Sequence, residues 1–350
     1  MTEMPSMEDW REQQRRQDLV RREEVLRLPV LPVREHGLIG GRDGDVRVCA
    51  SVGPGGEVVS VWTTAEGKQA VTSRTVSAGG ASFADTSTDR PVTARITVHN
   101  PRLTAVVEVR ELTLAHITVQ PMPGDRFLVA GARCRWHPDG PEPNAVLYDA
   151  AGHAVSGHVL GDAIEELQAD TSGHVWVGYS EEGIYGNYGW GHADTEQPVG
   201  MYGIVRFSPA LEPDWHLPRY DEIGPWDPIS DYPTLNVDDT SVWTCYYSDY
   251  PLVRIRDDKV SGWHNDVRGP AALAVAGSRV ALFGGGRANH DRLALTELGA
   301  DRAELAGEYR LVLPGGEPLP QETDIIGRGS RLHFLTHDRW YQLDLDDISG

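Results

Sequence analysis

The chain has 350 residues, 40% of them hydrophobic and 24% charged, with 52 acidic side chains against 32 lysines and arginines and a net charge of −20. That hydrophobic content is enough for a packed core, while the negative excess repels phosphate backbones and anionic lipid and argues against a nucleic-acid partner. The opening MTEMPSMEDWREQQRRQ has no apolar h-region, and no apolar run approaches the roughly 18 residues of a membrane span, so the expectation is a cytoplasmic protein with no membrane partner.

Residues 1–28 are dense in charge, with apolar side chains at Trp10, Leu19, Val20, Val25 and Leu26. The spacing predicts a short, weakly amphipathic helix ending before Pro29. From residue 29 to residue 350 the signal is strands and turns, read as one domain. The 38 glycines and 23 prolines suit many turns rather than long helices.

Six units follow one another. The first holds VRVCASV and EVVSVWTT, then ARITVH and AVVEVR after a polar interruption. The second holds ITVQPMP, RFLVAGARCR and AVLYDAAGHAVSGHVL, with turns at Gly124 and at Asp149 to Gly152. The third is the stretch from Gly161 to Pro209, closing with DWHLP. The fourth is TLNVDDTSVWTCYYS with LVRIRDDKVSGWHN, and the fifth is ALAVAGSRVALFGG with RLALTEL and YRLVLP. The sixth, DIIGRGSRLHFLTHDRWYQLDL, offers three strands where the others offer four. Alternation is clear in the third unit, where Val175, Val177 and Tyr179 share one face and Trp176 and Gly178 the other.

A unit that cannot bury its own apolar face implies a closed ring of units. The expected fold is therefore all-β: a six-bladed β-propeller whose last blade is completed by the extended N-terminal segment from Val25 to Val33. The segment ELQADTSGHVWVGYSEEGIY carries Asp170, Gly173, Val175, Trp176, Val177 and Gly178. With that spacing it resembles the blade motif of bacterial NHL-like and two-component-regulator propellers. The unit from Leu235 matches in part, through Asp239, Val242 and Trp243. The resemblance implies the fold and no single function, since such families include sensors, scaffolds and lactonase-like enzymes.

The three cysteines, Cys49, Cys134 and Cys245, are read as reduced packing residues inside strands, because their number is odd and no CxxC occurs. The 13 histidines show no metal-ligand spacing, and His333 with His337 falls in a predicted hairpin. GGGRAN from Gly284 lacks the Lys-Ser/Thr of a phosphate loop.

The long interruptions are Thr64 to Val92, Trp136 to Asn144, Ser180 to Gly200, Pro218 to Tyr232, Gly284 to Asp291 and Pro314 to Thr323. In a propeller nearly all of these fall on one face, where function gathers. Residues just before each inner strand would ring the channel mouth: His116, Asp162 with Glu165, Asp231 with Tyr232, and Glu322 with Asp324. Tyr185, Tyr188 and Trp190, spaced by glycines, with Tyr246 of the next unit, are read as a stacking wall or lid. The same residues also suit a structural plug.

The first functional reading is a binding module that takes a small molecule or protein segment through these acidic and aromatic residues. The alternative is a metal-dependent, lactonase-like hydrolase. There a divalent cation at the channel mouth, held by Glu165, Asp231 and Glu322, would polarise a carbonyl and activate water, with Asp162 as base. Lactonase-like propellers also use an Asn at that place, and this chain offers no matching one. A third reading gives the N-terminal segment a docking role through Trp10, Leu19 and Leu26.

Overall fold

A computed structural model describes residues 7–218 and 224–348. Its strands come in antiparallel meanders of four. The first quartet is Val46–Val52, Val58–Thr63, Ser87–His99 and Leu103–Leu114, and the second is Ile117–Met122, Arg126–Gly131, Ala145–Tyr148 and Ala154–His158. The third is Ile164–Ala169, Val175–Tyr179, Ile204–Phe207 and Pro213–His216. The fourth is Asp231–Val237, Val242–Tyr247, Leu252–Arg256 and Lys259–Asn265. The fifth is Ala272–Ala276, Arg279–Phe283, Arg292–Leu298 and Arg302–Val312. The last group is Asp324–Arg328, Arg331–Leu335 and Arg339–Asp344, completed from the other end of the chain by Arg34–Leu38.

The first strands of successive quartets touch in order, and Asp324–Arg328 touches Val46–Val52, which closes the ring. The arrangement is a β-propeller, with each inner strand facing a central channel. The segment that closes the last quartet is Arg34–Leu38 rather than the expected Val25 to Val33. Val25 belongs to the N-terminal helix Met7–Leu26, and Val30–Pro32 pairs in parallel with Arg302–Val312.

The expectation of six separate blades is corrected. Four quartets stand alone as four-stranded sheets: the first, the second, the third and the one closed by Arg34–Leu38. The fourth and fifth belong to one nine-stranded sheet, because Lys259–Asn265 pairs in parallel with Arg302–Val312 at His264 with Arg302 and Asn265 with Ala303. The 11-residue outer strand Arg302–Val312 is long enough to pair at one end with this neighbour and at the other with Val30–Pro32. Four discrete blades result, not six.

A repeated packing unit recurs in the second and third strands. Trp62, Trp176 and Trp243 stand directly across from Arg95, Arg206 and Arg254. The Arg206 and Arg254 guanidinium groups lie 5.5 Å and 5.6 Å from the centres of the Trp176 and Trp243 rings. Outer-strand Trp215 and Trp263 then pack against those two indoles. Trp176 and Trp243 thus bury area while the cation on each face keeps the blade surface polar. Between sheets the apolar faces interdigitate, as Val177 and Ile204 do with Leu235 and Val253.

The turn beginning at Asp170 shows why the motif matched there. Its carboxylate accepts the amides of Ser172 and His174, and Gly173 takes φ +91° against Pro123. In the fourth quartet the same role falls to Asp238, which accepts the amides of Thr240 and Ser241, and not to the Asp239 of the sequence match.

In such meanders, links from second to third strand and from one quartet to the next emerge at the end where the inner strand begins. All six expected interruptions therefore rise on one face, although residues 219–223 of the fourth lie outside the described residues. Residues 64–86 hold the helix Ala65–Val71 and the hairpin Arg74–Val76 with Ser82–Ala84. Residues 180–203 hold the short helix Glu181–Tyr185.

The helix Met7–Leu26 docks by its last turns. Val25 is buried, Arg22 grips the buried Asp291 at 2.5 and 2.9 Å, and Arg21 reaches Asn289 at 3.1 Å. Leu19, Val20 and Leu26 remain exposed, and the side chain of Trp10 lies outside the described residues. Cys49 and Cys245 lie in strands, but Cys134 sits in the loop after Arg126–Gly131, and all three thiols are free. No described helix is long and apolar enough to cross a membrane.

Candidate binding face and channel

At the end of the channel carrying the tight turns, the inner strands contribute polar side chains that bond to one another's backbones. Arg328, 7% exposed, donates Nε to Gly53 O at 3.1 Å, Nη1 to Val237 O at 3.0 Å and Nη2 to Ala169 O at 2.6 Å. Its Nη1 also meets Gln168 Oε1 at 3.2 Å. Gln168 in turn donates to Leu235 O and Gly327 O and accepts from the Val237 amide. Gln120 bridges to Leu167 O and the Ala169 amide. Asn236 bridges to Leu273 O, Gly329 O and the Gly329 amide. Burial pulls the Arg328 guanidinium down only to about 10, so it stays charged at neutral pH. These bonds cross-link several inner strands and close this end of the channel.

The other end differs. Glu165 and Glu166 come from the inner strand of the third quartet, where the pairing with Val175–Tyr179 skips Glu165 and forms a bulge. Glu165 is exposed and Glu166 half-buried. Burial pushes Glu166 up to about 8, helped by the charge of Glu165. Burial and then the charge of Asp231 raise Glu165. Asp231 accepts the Glu181 amide at 2.9 Å. Asp324, raised by burial, is held at 3.0 Å by Arg47, which also donates to Leu335 O, Thr336 O and His337 O. Beside it, burial and Asp324 push the Cys49 thiol up to about 12, so it is no thiolate nucleophile.

The remaining candidates fall into groups. Asp162 is buried beneath the second insertion, where Arg133 binds it at 2.8 Å and the Cys134 amide donates at 2.8 Å. Burial outweighs these partners and raises its carboxyl to about 6. Arg133 also pairs with Glu182. Tyr188 lies under the guanidinium groups of Arg133 and Arg135, at 4.1 and 4.7 Å, and its hydroxyl donates to Ala84 O at 2.6 Å. Trp190 is buried, packs edge-on against Trp136 at 4.9 Å and donates to Cys134 O at 2.9 Å. The insertions of the first three quartets are therefore interlocked.

Tyr185 is exposed and its hydroxyl lies 3.4 Å from Ser230 Oγ, next to Asp231. Tyr232 is exposed with φ +47°, and His116, at φ +48°, bonds through Nε2 to Ser73 O at 2.7 Å. Tyr246 is fully buried and donates to Asp227 O, so it packs beneath the face and lines no open wall. Glu322 is exposed on the loop before Asp324.

The structure thus gathers Glu165, Asp231, Tyr232 and Tyr185 near the junction of the third and fourth quartets. Asp162, Tyr188 and Trp190 form a separate cluster, with His116 and Glu322 elsewhere on the rim. Among the described residues no group of three or more His, Cys, Asp or Glu is placed to hold a metal ion, and Glu165, Asp231 and Glu322 form no such group. His333 is a packing residue: burial lowers it to about 3, and its ring stacks on Trp340.

Sequence reasoning overlooked Glu166, Arg47 and Arg328. Stepping by two from Gln168 reaches Glu166, and an arginine within an apolar inner strand is itself a signal of a buried network.

No family model matches the chain, and no curated protein matches it. Several solved structures are similar. A functionally unknown protein from Desulfotomaculum acetoxidans is 9% identical, with a TM-score of 0.45, covering 86% of this chain and 82% of its own. The β-propeller domain of Myceliophteria thermophila Cps50 (Swd1) is 12% identical, with a TM-score of 0.43, covering 88% and 99%. Apo AztD from Citrobacter koseri is 12% identical, with a TM-score of 0.40, covering 86% of each. At such identities the likeness concerns fold alone.

Proposed function

We propose that the chain is a non-catalytic binding module whose ligand enters the channel from the loop-rich face. The ligand, a small molecule or a protein segment, places an amine between Glu165, Glu166 and Asp231. The observation that carries this reading is the contrast in charge compensation along the channel. Arg328 makes four hydrogen bonds at the far end, whereas Glu165 and Glu166 have no basic partner among the described residues. Burial first and mutual repulsion second raise both acids, and a bound ammonium would offset both by favouring their charged forms.

Isothermal titration with spermidine and with a short lysine-containing peptide tests this at pH 7. Saturable binding should disappear in the double variant Glu165→Gln, Glu166→Gln and persist in Asp257→Asn, Asp258→Asn on the opposite face. Equal loss in both variants, or no saturable binding, would sink the proposal.

A further inference from the structure

The insertion of the first quartet builds a second cleft beside the channel, of about 760 Å³. That lies within the roughly 300–1,000 Å³ of small-molecule sites. Its floor is the helix Ala65–Val71 and the start of Ser87–His99, and its wall is the hairpin of residues 74–84. Arg135 closes the side nearest the second quartet.

The hairpin register decides what faces the cleft. Thr75 pairs directly with Phe83, so both point to the same face, and Ser73 and Asp85 continue it two residues along. Ser73, Thr75 and Asp85 line the cavity. Phe83, 45% exposed, stands on that hairpin face directly across from the cavity-lining Thr75. An exposed phenylalanine on the polar hairpin of an insertion contributes nothing to the core.

The lining is split between groups that hold the cleft together and groups that are uncommitted. Thr75 donates to Asp85 at 2.6 Å, and Arg90 pairs with Glu66. Gln69, Ser87 and Asp89 make no side-chain hydrogen bond among the described residues, and the Arg135 guanidinium meets only the Tyr188 ring. Donors and acceptors thus both line an open cavity, and an exposed aromatic ring stands on the adjoining hairpin face. An anionic ligand would meet Glu66, Asp85 and Asp89, and a cationic one Arg90 and Arg135. A neutral, hydroxyl-rich ring can donate to the first set, accept from the second and lay its C–H face on Phe83.

We propose that this cleft binds a neutral oligosaccharide. The proposal rests on the reading of the chain as a binding module but uses a different cavity. The test is titration of the full chain with maltohexaose, cellohexaose, xylohexaose and mannohexaose, followed by tryptophan fluorescence and calorimetry. At least one should bind saturably, and Phe83→Ala should weaken it roughly three- to tenfold. Gln69→Leu should weaken it as well, with the melting temperature of both variants unchanged, while the Glu165→Gln, Glu166→Gln variant should bind normally. No binding by any of the four sugars overturns the proposal. So does binding that survives Phe83→Ala and Gln69→Leu, or that is lost only in the channel variant, where the sugar would be occupying the channel instead.

Discussion

The two ends of the central channel are made by the same inner strands, yet they treat buried charge in opposite ways. At the turn-rich end, Arg328 reaches the carbonyls of Gly53, Ala169 and Val237, drawn from three different inner-strand ends. At the loop-rich end, Glu165 and Glu166 are neighbouring carboxyls with no basic partner among the described residues, and both are raised. A desolvated ion stabilises a fold only when hydrogen bonds replace its water, and an unpaired one costs stability that a ligand can recover. The first end thus belongs to the scaffold and the second is available for recognition.

The largest expected effect breaks the closed end. Arg328→Met leaves three inner-strand carbonyls without their donor and should cost about 3–5 kcal/mol in urea unfolding. A loss below about 1 kcal/mol would mean that the two ends differ less than argued. Gly327→Ala should follow at about 2–3 kcal/mol, since a Cβ there would lie 1.8 Å from Leu273 O.

The open end should respond with the opposite sign. Because the Glu166 carboxyl is raised to about 8 in the fold, the folded chain binds an extra proton between the ordinary carboxylate range and pH 8. Stability from that group is full below about pH 4.5 and is lost as pH rises through 8. Glu166→Gln should therefore stabilise the protein above pH 8, on the order of 1–2 kcal/mol, and leave thermal melting at pH 4 unchanged. A uniform shift at both pH values would remove the titration argument. The smallest effect concerns the contact between the first and third insertions on the loop-rich face. Tyr188→Phe loses the bond to Ala84 O and should cost about 0.5–1.5 kcal/mol, with faster hydrogen exchange in the hairpin of residues 74–84.

Much of the scaffold was legible because strands announce themselves locally. Alternation at Val175, Val177 and Tyr179, and Gly173 in its turn, located the third quartet, and crossover rules put the long loops on one face. What was illegible depends on contacts between distant segments. Nothing in the hydropathy of Arg302–Val312 says that its edge will accept both Lys259–Asn265 and Val30–Pro32, and so merge two quartets. The bulge at Glu165 displaces Ile164 and Glu165 from the alternation that Glu166 and Gln168 keep, and no local pattern announces it. The aromatics of the glycine-rich loop were ambiguous for a similar reason. Tyr185 stays outside while Trp190 turns inward onto Trp136, and composition is the same for both outcomes. Of the proposed rim, the nearness of Glu165 to Asp231 was foreseeable from strand starts. The burial of Asp162 under Arg133 required knowing where the second insertion folds.

The strand Arg34–Leu38 has a consequence for how the molecule is born. Its mate Arg339–Asp344 leaves the ribosome about 300 residues later. At roughly 5–20 residues per second, its edge must wait tens of seconds for that partner. During that interval the nascent ring is an open arc, and the polar run Arg34, Glu35 and His36 helps keep the waiting strand from pairing with a stranger.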